Sequence, residues 1–467
     1  MLDQSFSAHN FDIIYGIESR KGNIEISNMP KEYQKIVSEL KETRKAINEL
    51  KKKDDKKSIE DLPIKKKQEA KLQQDKEKIL LQYLDSVACE VCNSKFRFTL
   101  QSFILKDKEI FQIDTTNHFQ FFAIKQLQHN LKSVFKVKQS NRHQILSNIK
   151  TFLNSKIPVY VIRTDISGFF ESIPQRKLMK MVMEDSLLNH KSKAFIQGIL
   201  MEYETIKDKK LVPCNYGIPR GVGISSYLSE LYMRDLDKKI SSRQEVMFYA
   251  RYVDDIFIIL TSLPKKESLQ SYYNGIVKLF NGYELELKQP KEEGKCMLID
   301  MFRNPNKSPT QFDYLGYTLS LSRTYGMCNC KFKMKGEKID AIKKKIDNAI
   351  THFNHLSKKN VRQAYHDLMD SLDYITGNIA LTKTKSGVKA GLYYSNDLLD
   401  NFNELDELTN YLLGKNISPY KKLNGWEQLQ QRIKDKITNI DFKKRWIERK
   451  FNRFSIERIN EIEDWLL

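Results

Sequence analysis

Apolar positions along the chain change their spacing from region to region, and each change marks a different kind of element. Between residues 96 and 113, two β-rich runs flank the charged tetrapeptide Lys106-Asp107-Lys108-Glu109. The first begins Phe96-Arg97-Phe98-Thr99-Leu100 and the second is Ile110-Phe111-Gln112-Ile113. Two such runs around a polar tip predict a hairpin. Residues 121–154 read as helical. Pro158-Val159-Tyr160-Val161-Ile162 is an apolar run of strand length that stops at Arg163-Thr164-Asp165. Residues 246–253 and 256–260 predict two further strands, separated only by Asp254 and Asp255. Beyond about residue 337 the period becomes helical. Ile339, Ile342, Ile346, Ile350 and Phe353 trace one stripe; Val361, Tyr365, Leu368, Leu372 and Ile375 trace another. Leu398, Phe402, Leu405 and Leu412 continue the theme, as do Trp426, Leu429, Ile433 and Ile437. The prediction is an α+β middle followed by a helical end, with no internal repeat.

Ahead of residue 96 the pattern is weaker. Ile13-Ile14-Tyr15 and Ile24-Glu25-Ile26 have the length of short strands. Residues 41–80 hold 23 charged positions in 40, with neither Gly nor an aromatic residue. Even so, Ile36, Leu40, Ile47 and Leu50 recur at helical spacing, and Leu72, Ile79 and Leu80 resume the stripe after Pro63. The reading is two charged helices joined near 54–63, with a flexible basic insert as the alternative.

Composition narrows the class. The 467 residues suffice for about three domain-sized units, and 40% hydrophobic with 30% charged residues excludes a wholly disordered chain. The formal net charge of +20 suggests a polyanionic partner, because Lys and Arg at phosphates release condensed counterions. A solvated lysine-rich surface on a protein that touches no nucleic acid is the alternative. Six cysteines are too few for a disulfide scaffold, and Cys89-Glu90-Val91-Cys92 has no second pair at finger spacing, so reduced thiols are expected. No apolar run approaches the roughly 20 residues of a membrane helix. The first residues lack the basic-then-apolar order of a signal peptide. A soluble, cytoplasmic protein without a membrane partner is the expectation.

The carboxylates give the composition a chemistry. Two adjacent aspartates at the tip of an apolar hairpin raise one another's pKa, and apolar flanks weaken their solvation. Hairpin tips usually carry Asn-Gly or Asp-Gly; Asp254-Asp255 does not. Mg²⁺ removes the cost, since it takes carboxylate oxygens and keeps sites open for substrate phosphates. The alternative is a solvent-exposed acidic turn. Asp165 also ends a buried-type strand, which would set it beside the hairpin tip. Three carboxylates converging there can hold two metals about 4 Å apart, the arrangement that activates a 3′-hydroxyl and stabilises leaving pyrophosphate.

These residues carry a resemblance. Tyr252-Val253-Asp254-Asp255 resembles the Tyr-x-Asp-Asp box of reverse transcriptases, preceded by Arg251 and Tyr249 as it often is. Arg163-Thr164-Asp165 with Phe169, Phe170 and Ser172-Ile173-Pro174 resembles their first metal motif. Gly217-Ile218-Pro219-Arg220-Gly221 resembles their Gly-x-Pro-Gln-Gly loop, with a helix to follow, and Phe312-Asp313-Tyr314-Leu315-Gly316-Tyr317 resembles their primer grip. The boxes span about a third of the chain, residues 155–320. The resemblance implies a right-hand polymerase of the α+β class. Residues 1–154 would be N-terminal region and fingers, with the charged insert at 31–84; residues 155–322 would be palm and 323–467 helical thumb. It implies RNA-directed DNA synthesis from dNTPs with two Mg²⁺ per site, Mn²⁺ being the substitute, and RNA and DNA product as partners. Asp165, Asp254 and Asp255 would be metal ligands, with the Ile166 carbonyl assisting. Phe170 falls at the place of the steric gate that excludes a ribose 2′-hydroxyl; core packing is its alternative.

Departures from the family pattern concentrate at the nucleotide. Arg220 stands where the family has Gln, beside Gly221, and either contacts a base or phosphate or pairs with an acid such as Glu171 and braces the loop. Lys288, Lys291 and Lys295 compete for the proton-donating lysine, with Lys291 preferred. The usual fingers hairpin is not recognisable; residues 96–113, with Arg97, Lys106 and Lys108, are the substitute. Lys138 and Arg142 would grip nucleic-acid backbone, with capping of a helix as the alternative for Arg142, and Tyr252, Tyr314 and Gly316 would contact it through the carried-over boxes. The absence of RNase H and endonuclease features, with the altered loop, resembles the bacterial defence-associated class. Ile375-Thr376-Gly377-Asn378 and Gly391-Leu392-Tyr393-Tyr394-Ser395-Asn396 resemble a subgroup, the second polymerase of a two-polymerase, type 3 system. That implies antiviral defence, a non-coding RNA and a second reverse transcriptase subunit in a homo- or hetero-oligomer. Template-independent or protein-templated synthesis of repetitive DNA, or a catalytically weak RNA-binding subunit, are the alternatives.

Overall fold

The computed structural model describes residues 3–52, 56–105, 108–137, 140–208, 215–264, 267–290, 294–302, 310–324, 327–380, 389–415, 417 and 426–467. Lys106, Lys138 and Lys291 lie outside the described residues. The chain opens with α1 (Ala8–Arg20), α2 (Lys31–Leu50) and α3 (Lys56–Cys92), then the hairpin of β1 (Leu100–Leu105) and β2 (Lys108–Ile113), and α4 (His118–Phe135) and α5 (Arg142–Leu153). The central region comprises β3 (Tyr160–Asp165), α6 (Phe169–Ser172), α7 (Gln175–Glu184), α8 (His190–Asp208), α9 (Ser225–Ser241), β4 (Val246–Tyr252), β5 (Asp255–Leu260), α10 (Leu269–Gly282) and β6 (Met297–Asp300). Next come β7 (Thr310–Tyr314), β8 (Tyr317–Thr324) and β9 (Met327–Met334), a separate antiparallel sheet. The end is helical: α11 (Gly336–Leu356), α12 (Val361–Thr376), α13 (Asn403–Leu413), α14 (Trp426–Thr438), α15 (Phe442–Ile447) and α16 (Ile456–Leu466). Three very short strands, β10 (Asn378–Ala380), β11 (Lys389–Gly391) and β12 (Phe451–Asn452), pair among these helices.

The central sheet has the order β4-β5-β3-β6, with every pairing antiparallel. Its two faces meet different cores, because successive side chains of a strand point to opposite sides. Ile162, Ile256, Ile258 and Leu260 enter one cluster with Leu127 of α4, Met233 of α9 and Tyr273 of α10. Val161, Phe257 and Ile259 enter the other with Ile149 of α5 and Phe312 and Leu319 of the second sheet. Ile256, Phe257, Ile258, Ile259 and Leu260 are all fully buried. Burial on both faces is why this strand reads as an unbroken apolar run rather than an alternating one. Each such side chain contributes about 1.5–3 kcal/mol on full burial. A one-residue slip would exchange the faces, so the core holds the register against the charge crowded at the strand's end.

Four expectations change. Ile13-Ile14-Tyr15 lies in α1, not in a strand: Ser7 caps that helix by accepting from the Asn10 backbone, and Phe11, Ile14 and Glu18 line its buried side. Ile26 opens a 3-10 turn. Three apolar residues in a row suit either period, and the cap decides. The charged insert is two helices as read, but α2 ends at Leu50 and α3 begins at Lys56, so the break comes early and α3 runs through Pro63. The boundary placed at 322 falls inside β8, and the sheet continues to Met334 before α11 begins.

Candidate active site

Register brings the three aspartates together. Asp165, the last residue of β3, pairs with Asp255, the first of β5, and Tyr252 pairs with Asp255 across the hairpin. The two-residue turn is Val253-Asp254, and Val253 has φ +60°. A positive φ at the first turn position is glycine's conformation. A β-branched residue there is an outlier that costs about 1–3 kcal/mol.

What holds the turn is Arg251, whose side chain is 2% exposed. It donates to the Val253 carbonyl at 2.8 Å, to Glu230 at 2.7 and 2.9 Å and to Asp237 at 2.8 Å. Tyr249 donates to the same Asp237 at 2.6 Å. Burial opposes the guanidinium charge, and Asp237 and Glu230 outweigh it, so Arg251 stays firmly protonated. On the other side the Ile166 backbone donates to the Asp254 carbonyl at 3.1 Å, and Lys288 N donates to the Asp165 carbonyl at 2.9 Å. The chain after α10 thus pins the end of β3.

The aspartates open into a cavity of about 510 Å³ walled by Phe111, Phe169 and Tyr203, with Lys108, Arg163, Lys207, Arg220 and Lys295 as its cations. Burial first, and then the charges of Asp254 and Asp255, push the Asp165 carboxyl up to about 6. Burial also raises Asp255, against the pull of Arg163, whose Nη2 stands 3.4 Å away. Lys295 Nζ lies 4.0 Å from Asp165. The donor set is all oxygen and mutually repelling, which suits a hard divalent cation. Among the described residues, however, no three His, Cys, Asp or Glu groups are drawn into a ligating cluster. The residues fit such an ion in chemistry, while Arg163 and Lys295 supply the countercharge.

A carboxyl held near 6 binds its proton more tightly folded than unfolded. Its contribution to stability is therefore present below about pH 4 and lost as pH rises through about 6. In metal-free protein at pH 8, Asp165→Asn should be more stable than the parent by about 1–2 kcal/mol, and the gap should close at pH 4. Thermal melts in chelator across that range test it; identical melting at pH 8 would mean the three carboxylates do not repel.

Arg220 braces. Its Nε and Nη2 donate to the two Glu171 oxygens at 2.9 and 3.0 Å, and its guanidinium lies 5.2 Å from the Phe170 ring centre. Burial raises the Glu171 carboxyl, but these bonds outweigh it and hold it below its ordinary value. Phe170 is half-buried under Arg220, whereas its neighbour Phe169 is fully buried and lines the cavity. Gly221 has φ +96°, and a Cβ there would stand 2.5 Å from Ile110 and 2.7 Å from the Phe111 carbonyl oxygen. The Arg220 carbonyl accepts from Phe111 N at 2.7 Å, so this loop docks directly on β2. Replacing Arg220 by Gln should lower incorporation of all four nucleotides equally, on the order of tenfold, through misplacement of the loop. Product composition read beside yield checks this; a biased loss would mean the guanidinium reads a base.

The nucleic-acid residues scatter. Arg97 is exposed and bonds carbonyls of Ser94 and Phe96. Tyr252 is half-buried against the second core. Tyr314 is a correction: alternation along β7 turns Phe312 and Tyr314 inward, so Tyr314 is 1% exposed, packed on Phe257 at 5.0 Å, and cannot contact a strand. Gly316, with Leu315, forms the β7–β8 turn, both at positive φ. Arg142 is half-buried, donating through Nε to the Leu315 carbonyl at 2.7 Å and covering the Tyr317 ring. Missed from the sequence were Lys207 of α8, which pairs with Glu109 at 2.8 Å at the cavity's edge, and the Glu230–Asp237 pair under the turn. None has a spacing signal, because each partner lies on another element.

The family profile for reverse transcriptase (RNA-dependent DNA polymerase) matches residues 90–319. That segment is a reverse transcriptase domain, and its fold is the right-hand polymerase fold. Among solved structures, an apo telomerase from Candida tropicalis truncated from its C-terminal domain is similar at 14% identity and TM-score 0.32, over 50% of this chain and 55% of that one. The present chain thus spans about half of that telomerase. Telomerase from Candida albicans in complex with a TWJ fragment of telomeric RNA has 12% identity and TM-score 0.34, over 82% and 67%. The corresponding Candida tropicalis complex has 13% identity and TM-score 0.30, over 85% and 74%. No curated protein matches the chain.

Proposed function

We propose that this chain is an RNA-directed DNA polymerase that extends a primer 3′-end with deoxynucleotides. The observation that carries the reading is the β3–β5 register, which sets Asp165 against Asp255 with Asp254 one residue away, all on one cavity lined by five cations. Asp165, Asp254 and Asp255 would hold two divalent cations, with Mg²⁺ favoured, and these would supply activation of the 3′-hydroxyl and neutralise charge on the leaving pyrophosphate. Lys108, Lys207, Arg220 and Lys295 face the same space and attract the triphosphate before chemistry. Phe169 walls the cavity, Phe170 beside it would act as the gate against a ribose 2′-hydroxyl, and Arg220, held by Glu171, keeps the loop at Gly221 seated on β2. The partners are RNA as template, DNA product and dNTPs.

We further infer, from the resemblance of residues 375–396, that the enzyme works in cytoplasmic antiviral defence beside a second reverse transcriptase subunit and a non-coding RNA. The test is to incubate purified protein with each dNTP, Mg²⁺ and its co-purifying nucleic acid, and to sequence both product and template. DNA complementary to the RNA supports the reading. Product bearing no relation to any nucleic acid present would replace it with untemplated synthesis at the same site.

A further inference from the structure

The helical end carries a row of rings unrelated to the catalytic cavity. Phe451, Tyr394, Tyr393, Trp446 and Phe402 follow one another with ring centres 5.8, 5.2, 5.0 and 5.1 Å apart. They come from three distant segments of the chain. The short strands assemble them: β10 pairs with β11 on one side and β12 on the other, which draws Lys389 and Phe451 toward Tyr394. That close approach depends on Gly391, at φ +120°, where a Cβ would stand 2.5 Å from the Gly377 carbonyl oxygen.

The row runs outward from the second core, against which Phe402 and Trp446 pack, to an exposed end at Phe451. Phe451 is 41% exposed and neighbouring Ile447 is 56% exposed, while the other four rings are only partly buried. Cations interleave with the rings: Arg449 lies 4.4 Å from the Tyr393 centre, Lys389 lies 5.8 Å from both Tyr394 and Phe451, and Lys443 lies 5.5 Å from Phe402. Arg445 and Lys450 share Asp373. By contrast Lys389, Lys443 and Arg449 have no carboxylate at ion-pair distance among the described residues. Glu448 is the one acid among residues 443–453, against six cations. Rings offer faces to bases and unpaired cations offer charge to phosphates, which is how single strands are held without sequence preference.

We propose that the ring row from Phe451 to Phe402, flanked by Lys389, Arg449 and Lys443, is a platform for single-stranded RNA. The choice of RNA rests on the proposed RNA-directed activity: product DNA leaves paired with its template, so the strand left unpaired is the RNA flanking the hybrid.

The test uses the full chain, without dNTPs, and a labelled oligouridine, with oligothymidine and the RNA–DNA hybrid as comparison ligands. Phe451→Ala should weaken oligouridine binding roughly tenfold with an unchanged salt slope, and Phe451→Trp should restore it. Lys389→Gln with Arg449→Gln should flatten the salt dependence by about 0.7 per lost contact. Unchanged affinity in Phe451→Ala, equal losses for single strand and hybrid, or oligothymidine bound as tightly as oligouridine would each overturn the proposal. Because binding is read apart from synthesis, a chain that failed to copy RNA would still report on this surface. Intact synthesis on a pre-formed hybrid by Phe451→Ala would leave the catalytic reading untouched.

Discussion

Asp254→Ala should lower DNA synthesis by on the order of a thousandfold or more, since charge stabilisation by a bound cation is worth several kcal/mol in the transition state. The fold should survive. Asp254 occupies the second position of the turn, and what the structure uses there is its carbonyl, which accepts from Ile166 N at 3.1 Å and is kept by alanine. Its carboxylate raises the pKa of both Asp165 and Asp255, so its removal relieves repulsion instead of breaking a bond. Single-nucleotide incorporation and a thermal melt, measured on the same preparation, separate the two effects. Synthesis at the parent rate would dismiss these aspartates as the catalytic set.

Arg251→Met should cost about 3–5 kcal/mol of stability, the largest loss expected from a single change outside the apolar core. The substitution keeps volume but leaves Glu230 and Asp237 facing each other without their shared cation, and it frees the Val253 carbonyl from its 2.8 Å partner. Both carboxylates are substantially buried, with side chains 14% and 25% exposed, so water offsets only part of the loss. Adding Glu230→Gln and Asp237→Asn should recover much of the stability, because the penalty of breaking a buried pair lies mainly in the charges left behind. It should not recover activity: the strained turn would relax, and Asp254 with it. Urea denaturation of the single and triple variants, with their Mg²⁺ dependence of synthesis, decides this. A single variant as stable as the parent would show that the cluster holds nothing.

The strands and the acids of the site were legible in the chain. The unbroken run at 256–260 reads as a strand, and Asp254-Asp255 at its head reads either as an exposed acidic turn or as a charge that a cation offsets. Those are local properties: period, length and chemical type within a few residues. The docking of the loop at Arg220 was legible only as two alternatives, and its partner Glu171 lies 49 residues away.

The burial of Tyr314 and the partner of Arg142 were not legible, for one physical reason. Their side-chain directions are set by packing, Tyr314 by the inward face of β7 against Phe257 and Arg142 by a carbonyl 173 residues along the chain. The ring row follows the same rule, since residues 389–394, 402 and 446–451 become neighbours only when a three-stranded sheet closes between helices. Local sequence therefore carries secondary structure and chemical type, because both are settled by interactions a few residues apart. Orientation and partnership are settled by burial against distant segments, and no spacing in the chain records them.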